Sequence, residues 1–441
     1  MALEGAEIAR ARSDVSKRGA EVQLRIRGIG AGGVGVGDLP DGRIVFVPRT
    51  APGDQVSVEI LEERARWARG VARAILDPGE ARREAPCPRY DECNGCSLQH
   101  LEYGRQLTCK GRIVGDALRR IGRLSTEDPV VEGSPLELGY RNKATMTLRR
   151  LRGGRVVAGF HEQADRRRIV DIGPECLLLS PDLTGLWRDL RASWGPEASL
   201  LPQGRELRLT LRAGREEGAL LIRGGRGNGR PEELLDAVPG LGSIWREGRG
   251  GGVRHLVGGK SMEVVWMGDA LQLVGGAFLQ VNSEAGALLH RFVLEEAGEP
   301  GRRKIVDAYC GAGVLGRRLA SEGNRVLGIE ADPLAVAEAR RGAPEGFEVV
   351  HGRVEESIEG VLPADLVILN PPRTGLDPRV PEALGRRPAK RVIYVSCDPG
   401  TLARDLARLV EPYEVGGVRS FDLFPQTSHV ETVVTLRKRE A

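Results

Sequence analysis

The chain has 441 residues, of which 41% are hydrophobic and 4% aromatic, with seven cysteines and a formal net charge of +4. Such a length calls for roughly two to four domains, and the composition excludes a disordered chain. Sparse aromatic rings exclude ring stacking as the main way of holding a ligand, and no apolar run approaches the ~18 residues of a membrane span. The first residues, MALEGAEIARARSD, lack the apolar stretch of a secretory leader. Cysteines in such a chain point to a reducing, cytoplasmic setting, where clusters serve metal binding or catalysis more often than disulfides.

In chain order, residues 1–16 read as a charged tail. Over 17–86, alternating runs (Val22, Leu24 and Ile26; Ile44 to Val47; Val56, Val58 and Ile60; Val71 to Ile75) are separated by glycine-rich turns such as GIGAGGVGVGD, which predicts a small OB-like β-barrel. Residues 87–274 read as an α+β domain. A helix continuing to about Gly122 carries Leu98, Leu101, Leu107, Val114, Leu118 and Ile121 on its apolar face, and antiparallel strands follow. Between Gly139 and Arg230 there are 18 Arg and Lys against 10 Asp and Glu, a surplus of eight. This basic zone suits contact with nucleic-acid phosphates. From 275 to 441, apolar strands (KIVDAY, RVLGIEA, FEVVHG, LVILNPP, RVIYVSC) alternate with helical stretches, the rhythm of a doubly wound α/β domain.

Four groups of residues carry chemistry. Cys87, Cys93 and Cys96 are spaced as ligands of zinc or of an iron–sulfur cluster and need a fourth, with Cys176 ahead of Cys109. The strand–turn–helix "VDAYCGAGVLGRRLA", with Gly311 and Gly313, frees a helix N-terminus for a ligand. Glu330, ending the next strand, is placed to hold ribose hydroxyls, so the pair fits a dinucleotide or S-adenosylmethionine. "LVILNPPRTGLDP" puts Asn370 at a strand's carboxyl end, where open α/β sheets bind ligands. Cys397, ending the next apolar run, and Glu431, heading the last strand, form a thiol and carboxylate suited to covalent catalysis with proton abstraction. Cys310, inside the glycine turn, is the rival nucleophile.

Taken together, CPRYDECNGCSLQH, YRNKA, FLQVN, DAYCGAG, NPPRTG, VSCDPGTLARDL and FPQTSHVE resemble the S-adenosylmethionine-dependent RNA uracil-5 methyltransferases, and most closely the 23S ribosomal-RNA branch with a TRAM barrel and an iron–sulfur cluster. The resemblance covers almost the whole chain after residue 16. It implies a 4Fe–4S cluster on Cys87, Cys93, Cys96 and Cys176, and an RNA substrate, ribosomal ahead of transfer RNA. It also implies cofactor contacts at Gln280, Tyr309, Gly311, Gly313, Val314, Glu330, Arg353 and Asn370, with Cys397 as nucleophile and Glu431 as general base. No obligate protein partner is implied.

The chain departs from the family pattern at Asn370, where an Asp is usual, and at Val314 and Arg353, where polar or acidic contacts are common. Two alternatives differ in class. Asn-Pro-Pro also occurs in enzymes that methylate exocyclic amines, but Arg373 stands where those carry an aromatic residue. An RNA-binding protein with a degenerate methyltransferase domain would bind cofactor without turnover.

Overall fold

The computed structural model describes residues 19–248 and 250–440; the expected tail over 1–16 lies outside them. The chain divides into two compact units, Met1–Ile113 with Phe424–His429, and Val114–Leu423 with Val430–Ala441.

In the smaller unit, β1 (Glu21–Gly30), β2 (Val34–Asp38), β3 (Ile44–Val47), β4 (Gln55–Glu63) and β5 (Trp67–Asp77) close into a barrel in the order β1-β2-β3-β5-β4. Alternate residues (Leu24 and Ile26, Val45 and Val47, Val56, Val58 and Ile60) fill it, as a period of two dictates. Strand β2 lies in a stretch whose glycines read as a turn. Here they serve close packing: a Cβ on Gly35 would fall 1.9 Å from Thr50 Oγ1, and one on Gly37 2.5 Å from Leu24 Cδ1. The following helix is shorter than its apolar spacing suggests, spanning Tyr103–Arg120. Leu98 and Leu101 are buried ahead of it, and Ile121 past its end is 51% exposed.

The larger unit holds two main sheets. Strands β7 (Lys143–Arg150), β8 (Val156–His161), β9 (Ile169–Asp171), β10 (Glu206–Arg212), β11 (Gly218–Arg223), β12 (Leu241–Glu247) and β13 (Val253–Gly258) form one of seven strands, in the order β13-β12-β11-β10-β7-β8-β9; β6 (Val131–Glu132) belongs to the other sheet. One face buries Ala144, Met146, Leu148, Leu207, Leu209 and Leu211 beside Trp187 of helix Pro181–Ser193. The sheet is not wholly antiparallel, because helix Pro231–Ala237 carries the chain back so that β11 and β12 run parallel. A hairpin of β14 (Met262–Trp266) and β15 (Asp269–Leu273) follows.

The second sheet adds β16 (Lys304–Ala308), β17 (Arg325–Glu330), β18 (Phe347–His351), β19 (Leu366–Leu369), β20 (Arg391–Ser396), β21 (Tyr413–Phe421) and β22 (Glu431–Lys438), in the order β18-β17-β16-β19-β20-β22-β21-β6. Strands β16 to β20 are parallel, and β22 is antiparallel to both β20 and β21. The parallel strands read as unbroken apolar runs because both faces are covered; Val306, Val367, Leu369, Val392 and Tyr394 are fully buried. The strand order reverses between β16 and β19. The connections leaving their carboxyl ends therefore part to opposite sides and open a crevice.

Candidate active site

The glycine turn sits at that crevice. After β16 the backbone turns left-handed at Tyr309 (φ 63°), Gly311 (φ 57°) and Gly313 (φ 76°). A tyrosine in this region costs about 1–2 kcal/mol, and such strain clusters at functional sites. Gly313 must be glycine, since a Cβ there would lie 2.7 Å from the Phe347 ring. Cys310 lies 2.8 Å from where a Gly328 Cβ would sit, packed against β17, and burial pushes its thiol far above the ordinary range.

Glu330 closes the turn. Its carboxylate accepts the Gly311 amide at 2.9 Å and the Ala331 and Asp332 amides at 2.7 and 2.8 Å. A carboxylate has about four lone-pair directions, so one remains for a ligand hydroxyl. Beneath the turn, Asp307 is 2% exposed and burial pushes it up to about 7.

The other expected cofactor positions differ in their surroundings. Gln280 is 6% exposed in the loop before helix Ser283–Ala297, where its carbonyl accepts from Asn142 Nδ2. Val314 opens helix Val314–Ser321 and packs against the cluster of Met262, Val264 and Trp266. Arg353 forms an ion pair with Glu355 at 2.6 Å. A left-handed turn with Glu330 directed at its amide and a buried glutamine nearby fits an adenosyl ligand; Val314 and Arg353 add no visible acceptor for one.

Asn370 follows β19, and its amide N–H donates to the Ala308 carbonyl at 3.3 Å, which ties the Asn-Pro-Pro turn to the end of β16. Among the described residues its side chain has no hydrogen-bond partner. The loop beyond is held by buried Asp405, which accepts the Leu376 amide and the Tyr394 hydroxyl, each at 2.8 Å, and pairs with Arg404. Arg404 in turn donates to the Thr374 carbonyl at 2.8 Å. Sequence reading missed this clamp, although an acid on the apolar face of helix Pro399–Leu409, between Leu402 and Leu406, was a usable signal.

Cys397 and Glu431 lie close enough for the carboxylate to act on the thiol. The β20–β22 ladder ends with Ser396 opposite Thr432, so Cys397 follows the last residue of β20 and Glu431 is the first residue of β22, at the same end of the two strands. Electrostatics agree with this placement. Burial first, then the Glu431 charge, push the Cys397 thiol up to about 11, while Arg373 pulls it down. Glu431 is 4% exposed, and burial lifts it to about 7 against the pull of the same arginine. Arg373, noted in the sequence only because it is not aromatic, therefore acts on both groups and favours their charged forms.

The cysteine loop lies in the smaller unit. The Cys93 sulfur accepts from the Gly95 amide at 3.3 Å and the Cys96 sulfur from Gln99 Nε2 at 3.1 Å, donations that suit a thiolate. Arg49 donates to the carbonyls of Tyr90, Cys93 and Cys96, each at 2.8 Å. Cys176 belongs to the larger unit, half-buried beside the core of the seven-stranded sheet. Cys109 is also half-buried, and burial pushes its thiol up to about 11. Among the described residues no three His, Cys, Asp or Glu side chains are arranged to hold a metal ion, so the expected cluster has donor chemistry in its favour but no visible geometry. No described helix is long and apolar enough to cross a membrane.

Sequence models of known families match three parts of the chain: the TRAM domain at 15–72, the methyltransferase small domain at 276–380 and the tRNA (uracil-5-)-methyltransferase at 360–439. An uncharacterized RNA methyltransferase from Synechocystis is 32% identical over 97% of this chain and 98% of its own. Another, from Gloeobacter violaceus, is 34% identical over 96% and 97%. The crystal structure of the Pyrococcus abyssi tRNA (uracil-54, C5)-methyltransferase in complex with S-adenosyl-L-homocysteine shares the fold with a TM-score of 0.73, at 28% identity, covering 94% of this chain and 99% of that one. On the likeness of nearly its whole length and of its crevice-bearing sheet, the chain belongs to the S-adenosylmethionine-dependent RNA (uracil-5-)-methyltransferase family.

Proposed function

We propose that the protein methylates C5 of a uridine in structured RNA, with 23S ribosomal RNA as the first choice of substrate. The observation that carries the reading is the placement of Cys397 and Glu431 at the same end of adjacent strands, where the Glu431 charge acts on the thiol and Arg373 acts on both.

Uracil C5 is a weak carbon nucleophile. The Cys397 thiol gives its proton to solvent, a loss that the Arg373 charge favours, its sulfur bonds to C6, and the electron pair of the C5–C6 double bond becomes enolate-like at C5. C5 then attacks the methyl carbon, the methyl–sulfonium bond breaks, and S-adenosylhomocysteine leaves. Glu431 takes the C5 proton, the electron pair re-forms C5–C6, and the C6–sulfur bond breaks to return the thiolate. A base poised near 7 suits that proton transfer at neutral pH, and Arg373 offsets negative charge as it forms on sulfur and carboxylate. The target nucleotide must leave its stack, which costs a few kcal/mol and least in loops. Asn370, placed beside the turn, can donate its NH2 to uracil O4 and accept N3–H, so it recognises the base without serving as an acid.

In the same reading, Cys87, Cys93, Cys96 and Cys176 would hold a 4Fe–4S cluster that organises the cysteine loop. Transfer RNA is the second choice of substrate, favoured by the Pyrococcus enzyme, which resembles this chain over nearly its full length.

The test is incubation with methyl-labelled S-adenosylmethionine and unmodified ribosomal or transfer RNA, followed by nucleoside mass spectrometry. 5-Methyluridine in one RNA class supports the reading and selects the substrate. Cofactor binding without any methylated nucleoside would favour the degenerate RNA-binding alternative.

A further inference from the structure

The seven-stranded sheet has a second face, opposite its apolar one, and a cavity of about 390 Å³ lies against it. Lys143 and Thr145 of β7, Arg208 and Thr210 of β10 and Arg223 of β11 form one wall; Asp332 and Leu334, at the start of helix Pro333–Arg340, contribute to the other. We propose that this cavity is a phosphodiester subsite, in which Lys143 and Arg208 hold a backbone phosphate of the RNA strand next to the target nucleotide. The proposal rests on the RNA-methylating function given above.

Lys143 carries the argument furthest. Among the described residues its ammonium has no hydrogen bond and no ion pair. It is nevertheless buried enough for desolvation, and then Arg212, to pull it down to about 8. A cation held in such a place without a carboxylate is costly unless something anionic arrives. Arg208, at the cavity's exposed side, is likewise unpaired among the described residues.

The acids of the lining are already engaged. Glu247 pairs with Arg223, and Asp332 caps its helix by accepting the Leu334 amide at 2.8 Å. Buried Arg212 stands directly opposite Lys143 on the same face of the sheet, donates to the Leu279 carbonyl and adds to the positive field. Thr145 and Thr210 share one hydrogen bond of 2.8 Å, which leaves one hydroxyl proton for a ligand oxygen.

A phosphate fits this wall better than a base does. None of the lining residues is aromatic, so no ring is offered for stacking, whereas two cations and a hydroxyl match a phosphodiester. The space far exceeds what a buried water needs. Its location also suits a neighbour of the target: Asp332 stands two residues beyond Glu330, and Gly276, also in the lining, four before Gln280. Such a contact positions the strand and carries no sequence information.

The experiment measures binding of whichever unmodified transcript, transfer or ribosomal, the wild-type enzyme methylates, across a salt series. The proteins are wild type, Lys143→Gln, the exposed-site variant Arg208→Gln and the charge-preserving Lys143→Arg. Each neutral substitution should lower the slope of log affinity against log salt by about one. Each should also raise KM for RNA with kcat unchanged, and Lys143→Arg should restore the slope. S-adenosylhomocysteine affinity should not move. Slopes equal to wild type in both neutral variants would overturn the proposal, and Arg208→Gln decides it if Lys143→Gln does not fold. A loss of S-adenosylhomocysteine affinity with the RNA slope intact would overturn it in favour of the donor's carboxylate as the anion. Failure of the wild-type protein to methylate either RNA would remove the functional reading itself and this proposal with it, an outcome visible before any variant is made.

Discussion

Glu431→Gln should gain stability relative to wild type as pH rises while stopping its turnover. Burial raises the Glu431 carboxyl from its ordinary 4.5 to about 7. That rise corresponds to about 3 kcal/mol. Because the folded state binds the proton more tightly than the unfolded one, stability is lost as pH climbs from about 4.5 to 7. The loss is about 1 kcal/mol at pH 5 and about 3 kcal/mol at pH 8 by linkage. Glutamine does not ionise, so the difference between variant and wild type should move in the variant's favour by about 2 kcal/mol between those two values. The constant cost of burying an amide cancels in that comparison. So does the contribution of Asp307, also raised to about 7 and present in both proteins. Cys397, near 11, stays protonated throughout. Urea unfolding of both proteins at pH 5 and pH 8, followed by circular dichroism, reads the effect. A stability difference that does not change with pH would refute the assignment of Glu431 as a buried, proton-binding base. In the methylation assay the same variant should accumulate a covalent, methylated protein–RNA adduct, because nothing removes the C5 proton.

Cys397→Ala should abolish methyl transfer while leaving RNA affinity and the unfolding midpoint near wild type; a variant that still methylates would transfer the nucleophile's role to another residue. Tyr394→Phe removes the hydroxyl that Asp405 accepts at 2.8 Å and should cost about 1–3 kcal/mol in thermal unfolding, with a lower kcat as the Asn370–Gly375 loop loosens; an unchanged melting temperature would show the clamp to be dispensable. Purification without oxygen should yield a brown protein with about four irons per chain, whereas a colourless protein with one zinc would replace the cluster by a structural zinc site.

The catalytic half of the molecule was legible because its signals are local. A glycine turn after an apolar strand, an acid at the end of the next strand and a proline turn at another's carboxyl end each announce themselves within about a dozen residues, and β16, β17, β19 and β20 follow. Where glycine serves packing instead of turning, the same signal misleads: β2 is a strand because its neighbours leave no room for a Cβ. The parallel pairing of β11 with β12 depends on a crossover through helix Pro231–Ala237, which alternation alone does not reveal. Arg373 and Asp405 escaped notice because their importance lies in partners distant in sequence, Cys397 and Glu431 for the first and Leu376 and Tyr394 for the second. The grouping of Cys176 with the loop of Cys87, Cys93 and Cys96 rests on the family resemblance alone, because Cys176 and that loop are far apart in sequence and belong to different compact units.

Release of the C5 hydrogen tests the central claim most directly. RNA carrying tritium at uridine C5 is incubated with the enzyme and methyl-labelled S-adenosylmethionine, and tritium in water is counted against methyl groups in RNA. C5 methylation through Cys397 and Glu431 predicts one tritium released for each methyl gained, and neither with Cys397→Ala. Methyl incorporation without tritium release would place the methyl on nitrogen or oxygen and contradict the account.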